Sequence, residues 1–397
     1  MSAALVLVVN AGSSSLKYSL VETVTGAHLG VGLVERIGAS GGGIRHDVGG
    51  ERFSDDVDVP DHEAAFALAL RAFETHGPHF RPDELVAVGH RVVHGGSRFT
   101  APTLVDDDLV AAVGSLVPLA PLHNPGNLEG IAVARRIFRG VPQVAVFDTA
   151  FHHTLPPEAY TYAIPARWRD ELGIRRYGFH GTSHAYVSRR TADLVGRPLE
   201  EVDTVVLHLG NGCSASAVEG GRSIETSMGM SPLEGLVMGT RSGDIDPAIP
   251  GHLARVEGLD AAAVDTELNR RSGLLGLAGV SDFREITERL EAGDSAASLA
   301  FDVVVHRLVK YVGAYAAVLG RLDALTFTGG IGENAPVLRA AVARRLGVLG
   351  VVLDDDANAS GGGERIVSSP DSRVAVCVVP TDEELEIARQ AAGVVAR

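Results

Sequence analysis

Three short segments carry the residue types and spacings best suited to chemistry in this 397-residue chain. The first is Asn10-Ala11-Gly12-Ser13-Ser14-Ser15-Leu16-Lys17. Its small residues let backbone N–H groups approach an anion without side-chain obstruction. Three hydroxyls and a lysine add to this, so the segment suits a polyphosphate, with Lys17 as a point charge. A plain hairpin turn accounts for Gly and Ser alone. The lysine shifts the balance, because Lys17 and Lys310 are the only two in the chain. The second segment, His208-Leu209-Gly210-Asn211-Gly212, is a turn of the same kind with a weaker individual signal. In the third, Thr328-Gly329-Gly330-Ile331-Gly332-Glu333-Asn334, residues Gly330, Gly332 and Ala335 satisfy the G-x-G-x-x-A spacing of dinucleotide sites. That match alone supports a nicotinamide dehydrogenase weakly, since it lies late in the chain and away from a clear βαβ unit. No Gly-Lys-Ser or Gly-Lys-Thr occurs, which excludes a P-loop enzyme.

Regular elements must display these turns. Apolar or β-branched runs at Leu5–Val9, Leu85–Gly89, Gln143–Phe147, Thr204–Leu209, Leu325–Thr328 and Ala375–Val379 predict strands. Helical spacing recurs at Glu63–Thr75, Leu128–Phe138, Ser183–Leu194 and Ala335–Leu346. The alternation implies α/β layering. The clusters Gly41–Gly43, Asp354–Asp356 and Gly361–Gly363 read as surface loops. One weak symmetry stands out. A strand, a small-residue turn and a second apolar run occur after Leu5 and again after Thr204, as in two β-hairpins. Two such openings about 200 residues apart suggest two related domains facing each other, with a ligand cleft between them.

Composition narrows the classes further. There are 35 basic and 50 acidic side chains, a formal net charge of −15, and 45% of residues are apolar. The apolar fraction fills a sizeable core, which argues against disorder. The acidic balance disfavours nucleic acid and anionic membranes, since both need a basic footprint. Cys213 and Cys377 have no partners at metal-ligand spacing and form no disulfide scaffold. The apolar start is too short for a secretion signal, and no basic region precedes it. The stretch Leu299–Leu319 is broken by Asp302, His306, Arg307 and Lys310, so it reads as a buried or interface helix. A cytoplasmic protein of two α/β domains is the expectation.

Longer motifs go beyond these generic features. Val8–Lys17, Gly89-His90-Arg91-Val92-Val93-His94-Gly95-Gly96, Pro121-Leu122-His123-Asn124-Pro125, Phe147-Asp148-Thr149-Ala150-Phe151-His152, Gly178-Phe179-His180-Gly181-Thr182-Ser183-His184 and Met238-Gly239-Thr240-Arg241-Ser242-Gly243-Asp244 resemble the signature segments of the acetate kinase family, in family order. The resemblance runs from residue 5 to about 390. It implies two ribonuclease-H-like domains of the acetate and sugar kinase, heat-shock and actin superfamily, with an interdomain active-site cleft. The expected domains are 1–150 with 385–397, and 151–384, the latter binding nucleotide and forming a homodimer. The implied reaction is ATP plus acetate giving ADP plus acetyl phosphate, reversibly and with Mg2+, for which Mn2+ can substitute. A propionate or butyrate kinase of the same fold is the nearest alternative. A nucleotide sensor that has lost turnover is a more distant one.

The resemblance also implies residue roles. Arg91 and Arg241 supply planar forks for the carboxylate and the transferring phosphoryl group. His180 stabilises the transition state with help from His123, while His90, His94 and His184 read as hydrogen-bonded core histidines. Asp148 acts as catalytic acid/base or orienting residue. Orientation of Arg91 or of the metal shell fits better, because a carboxylate substrate is already ionised at neutral pH. Asn10 and a C-terminal glutamate hold Mg2+. A capping box from Thr381 to Glu384 would occupy Glu384, leaving Glu383 for the metal. Asp382 stands where asparagine is common in the family. Nucleotide falls to Lys17 with Ser13 and Ser15, to His208, Leu209, Gly210, Asn211 and Gly212, to Asp282, Phe283 and Arg284, and to Gly330, Ile331, Gly332, Glu333 and Asn334. Val93, Leu122, Phe179 and Pro232 form the pocket for the acyl methyl group.

Overall fold

Fourteen strands among the described residues build two sheets. The first sheet contains β1 (Leu5–Ala11), β2 (Ser15–Glu22), β3 (Ala27–Glu35), β4 (Gly43–Val48), β5 (Glu51–Asp56), β6 (Leu85–Val92), β7 (Thr103–Leu104) and β8 (Gln143–Phe147). The second contains β9 (Asp203–Leu209), β10 (Cys213–Glu219), β11 (Arg222–Thr226), β12 (Ala324–Thr328), β13 (Arg365–Ile366) and β14 (Ala375–Val378). The computed structural model describes residues 4–396. The described residues divide into one unit of 4–151 with 382–396 and another of His152–Thr381.

The first sheet runs β5-β4-β3-β2-β1-β6-β8-β7 and the second β11-β10-β9-β12-β14-β13. In the first, β1 pairs antiparallel with β2 and parallel with β6, and β6 pairs parallel with β8. In the second, β9 pairs antiparallel with β10 and parallel with β12, and β12 pairs parallel with β14. The five-strand cores β3-β2-β1-β6-β8 and β11-β10-β9-β12-β14 therefore share one topology, the ribonuclease-H-like one. The duplication read from two turns holds for whole cores. Every residue of β8, β9 and β12 is buried, as strands covered on both faces require. Helices Glu383–Val395 and Asn124–Ile137 pack on the β1 and β6 region of the first unit.

Several local expectations change. Asp382 caps the last helix, accepting the Leu385 amide at 2.9 Å, so the Thr381-to-Glu384 capping box does not form. Aspartate is a strong N-cap, and here it is one residue nearer the helix than the threonine. The first unit takes up the chain again at Asp382, so the whole helix Glu383–Val395 belongs to it. Asp354 caps a short helix, Asp355–Ala359, where a loop was expected. The apolar stretch near 299–319 is the helix Ser295–Leu319, whose Val304, Val305, Leu308, Val312 and Tyr315 enter the second unit's own core. Leu299 and Val318 are its exposed large apolar side chains. No helix among the described residues is long and apolar enough to cross a membrane.

Burial lowers the pKa of three enclosed imidazoles, His90, His152 and His184. His90 Nε2 meets Gln143 Oε1 at 2.7 Å, His152 lies between the Ser223 hydroxyl and the Phe179 carbonyl, and His184 Nε2 meets Ser214 Oγ at 2.7 Å. Burial pushes His90 and His152 down to about 4, and His184 well below its ordinary value. Unfolding restores a value near 6.5. Below that pH the unfolded chain binds more protons than the folded one, so stability falls as pH falls. The urea midpoint should decrease from pH 7 to pH 5, each imidazole contributing up to about 1.4 kcal/mol per pH unit. A midpoint that holds or rises over that range would contradict the buried neutral state.

Candidate active site

In the first unit, charge gathers where β1, β6 and β8 end. Arg91, at the end of β6, donates from Nε and Nη2 to both carboxylate oxygens of Asp148, with a closest distance of 2.7 Å. Asp148 is 1% exposed and follows β8, and its amide bonds Val92 O at 3.0 Å. The pair is a bidentate fork, with the Nη1 side of Arg91 left for a ligand. Burial works against the Arg91 charge, but Asp148, with Glu383 and Glu384 beyond it, holds its pKa above the usual value. Glu384 ion-pairs with Lys17, which sits opposite Asn10 across the β1–β2 hairpin. Glu383 opens the last helix with Oε1 out of solvent and without a hydrogen-bond partner among the described residues. Burial raises the pKa of this carboxyl, against the pull of Arg91.

The phosphate-type turn after β1 is held by residues not singled out from the sequence. In the helix Asn124–Ile137, Asn127 Nδ2 donates to Ala11 O at 2.7 Å while its Oδ1 accepts the Val93 amide at 3.0 Å. Asn124 bonds both backbone groups of His94. His62 Nε2 reaches Gly12 O at 2.8 Å. The helix lies so close to the turn that a Cβ on Gly126 would sit 2.7 Å from the Gly12 carbonyl carbon. His123 sits at the N-cap of that helix, and Leu122 beside it is 44% exposed.

In the second unit, three candidate residues converge. A Cβ at Gly212 would lie 3.3 Å from Arg241 Nη2 and 3.4 Å from His180 Nε2, so the turn, the cation and the imidazole are neighbours. His180 adopts φ 54° at the N-cap of helix Gly181–Leu194. This left-handed conformation is uncommon for a residue with a Cβ and concentrates at functional sites. Its ring stacks on His208 with centroids 4.3 Å apart, and its Nδ1 lies 2.9 Å from Ser214 Oγ. His208 Nδ1 meets Ser183 Oγ, which in turn meets Thr381 Oγ1. Arg241 donates to Pro232 O at 2.6 Å, and no ion pair to it is present among the described residues. Burial accordingly lowers its pKa. A buried cation without a counter-ion favours the arrival of an anion.

Beside this cluster an open pocket of about 870 Å³ is lined by Gly210, Asn211, Asp282, Phe283, Arg284, Gly330, Ile331 and Asn334, among others. It brings together three segments predicted as one nucleotide site. Asp282 caps the helix Phe283–Glu291 and pairs with the exposed Arg284. Glu333 faces Thr381, whose amide it accepts at 3.3 Å, and it does not line the pocket. Leu209 is 2% exposed and closes a separate small apolar cavity. His90, His94 and His184 are core histidines. Phe179 is 1% exposed, packed just before His180. Sequence reasoning missed His62, Asn124, Asn127, Ser183 and Ser214. For the two asparagines, their spacing on one helix face beside Gly126 and Gly130 was an available signal.

Duplicated ribonuclease-H-like cores carrying small-residue turns at the first hairpin of each define the class, an enzyme of the actin-like ATPase fold. Residues 5–389 match the Acetokinase family, and the chain belongs to that family. It is 59% identical over 392 residues to the acetate kinase of Leifsonia xyli subsp. xyli, spanning 98% of this chain and 99% of that one. The acetate kinase structure from Porphyromonas gingivalis superposes with a TM-score of 0.93 at 42% identity, covering 100% of both chains. A propionate kinase structure from Francisella tularensis subsp. tularensis gives 0.93 at 40% identity, covering 98% and 99%. Family membership also displaces the dehydrogenase reading of the Gly330–Ala335 spacing.

Removing Asp148 leaves Arg91 buried without its fork. Asp148→Ala should therefore cost about 3–5 kcal/mol in urea unfolding, and Arg91→Met/Asp148→Leu less than the two single changes together. A cost below about 1 kcal/mol for Asp148→Ala would refute the pair's structural weight.

Proposed function

We propose that the chain catalyses reversible in-line transfer of a phosphoryl group from ATP to acetate, giving ADP and acetyl phosphate. The observation that carries this is the convergence of Gly212, Arg241 and His180 next to the pocket lined by Gly210 and Asn211. A nucleotide whose base occupies that pocket would present its transferable end to a part-buried cation, without an ion-pair partner among the described residues, and to an imidazole.

Each group then has a task. The acetate carboxylate is ionised at working pH and attacks without a general base. Two anions must meet, so most of the catalysis is charge neutralisation and alignment. Arg91, held in plane by Asp148, binds the carboxylate. Arg241 takes the charge of the transferring group, and His180 with His123 donates to its equatorial oxygens. Lys17 and the Ser13–Ser15 turn hold phosphate oxygens. Val93, Leu122, Phe179 and Pro232 enclose the methyl group.

Mg2+ is part of this reading. The unpartnered, shielded Oε1 of Glu383 fits a cation, with Asn10 as the second protein ligand and waters completing an octahedron. Bound there, the ion would neutralise phosphate charge, and Mn2+ would substitute for it. A homodimer through the second unit is also proposed, which sedimentation would read as twice 41.5 kDa.

A second reading, propionate as the preferred acid, is favoured by the likeness to the Francisella propionate kinase. Val93 favours the smaller acid, but one methylene is worth only about 0.8 kcal/mol when buried. Acetate is expected to win by about tenfold in kcat/KM over propionate, and by more over butyrate. With ATP and Mg2+, hydroxylamine should trap an acyl phosphate. No trapped product at high enzyme concentration, with ATP still bound, would indicate a nucleotide sensor instead. Arg91→Ala should chiefly raise KM for acetate, and Arg241→Ala should lower kcat by about a hundredfold or more. Near-normal kinetics in either variant would remove its assigned role.

A further inference from the structure

We infer that Ser214 and His184 are positioning residues that set the tautomer of His180, placing the proton of its neutral ring on Nε2. The catalytic consequence rests on the phosphoryl-transfer reading, whereas the tautomer itself does not. The Ser214 hydroxyl lies 2.9 Å from Nδ1 of His180 and 2.7 Å from Nε2 of His184. A hydroxyl has one proton, and these two ring nitrogens are the only partners of Ser214 Oγ among the described residues, so its proton goes to one ring and the other ring donates to it.

His184 decides which. Burial keeps this ring neutral, so it carries a single N–H. Its Nδ1 is enclosed and meets no hydrogen-bond partner among the described residues. A proton on Nδ1 would be a donor orphaned in the interior, a rarer and costlier defect than an unused lone pair. The proton therefore sits on Nε2 of His184 and is donated to Ser214 Oγ. The Ser214 proton is then directed to Nδ1 of His180, which accepts it as a bare nitrogen. The single proton of neutral His180 falls on Nε2.

That atom is the one facing the site, since it and Arg241 Nη2 are the polar neighbours that a Cβ at Gly212 would approach. Stacking on His208, itself held through Ser183 and Thr381, keeps the ring plane fixed. The helix Gly181–Leu194 carries His180 at its N-cap and His184 in its first turn, and β10 brings Ser214 to both. The chain thus presents a donor, not a lone pair, beside the part-buried Arg241, as developing negative charge on a phosphoryl group requires.

Long-range 1H–15N correlation on the full chain with labelled histidines reads the tautomer without turnover. The expected pattern is Nε2–H for neutral His180; an Nδ1–H pattern would overturn the inference while leaving the kinase reading to the hydroxylamine assay. Ser214→Ala should lower kcat by about tenfold or more, leave both KM values within about twofold, and turn the His180 signature into a mixture. Ser214→Thr, which keeps the hydroxyl, should recover most of kcat and the wild-type signature. Wild-type kcat in Ser214→Ala, or no recovery in a folded Ser214→Thr, would also overturn it. Should Ser214→Ala fail to fold, the wild-type spectrum alone decides.

Discussion

Two guanidiniums, Arg91 and Arg241, are drawn largely out of bulk water in a chain whose net charge is −15. A guanidinium is stable there only if something opposes the desolvation cost. The two units solve this differently. Arg91 is compensated in advance by the bidentate Asp148 carboxylate, with Glu383 and Glu384 nearby, so its position is fixed before any ligand arrives. Among the described residues Arg241 bonds a single carbonyl, that of Pro232, and burial weakens its hold on its proton. The first arrangement gives geometry. The second gives an unmet demand for an anion, placed beside the turn at Gly212.

The duplicated core explains why both arrangements are available. In each unit the first strand ends in a small-residue turn, and its parallel neighbours end near it, so side chains at those ends crowd around the turn. The first unit adds a helix whose Asn127 and Gly126 meet the turn, while Asn124 holds the backbone of His94 after β6. The second adds the helix that begins at His180, and fixes side chains through Ser183 and Ser214 instead. One topology therefore supports a backbone cradle in one unit and an imidazole network in the other.

Much of this was legible in the sequence, for a physical reason. Apolar runs that end in Gly and Asn mark buried strands and their turns, because burial fixes residue type locally. The strand at Gln143–Phe147 and the hairpins at Asn10 and Gly212 follow from that rule. Ser214 and Asn127 did not, because their value lies in partners 34 and 116 residues away, and a serine in a strand of small and apolar residues reads as filler. The Thr381 capping box failed for a related reason. Two adjacent residues could both cap, and the choice fell to Asp382, which also meets His28 from another strand. The helix at 295–319 is apolar because it fills its own unit's core, a fact that residue types alone do not distinguish from an interface.

If alignment and charge neutralisation carry the reaction, no side chain of this protein ever bonds to phosphorus, and the transferred group moves once. ATP made chiral at the γ-phosphorus with oxygen isotopes tests this directly, by reading the configuration of the phosphoryl group in the acyl phosphate. A single in-line displacement inverts it. Inversion is the expected result. Retention would require a covalent phosphoenzyme, and with it a nucleophilic side chain for which this account has no place.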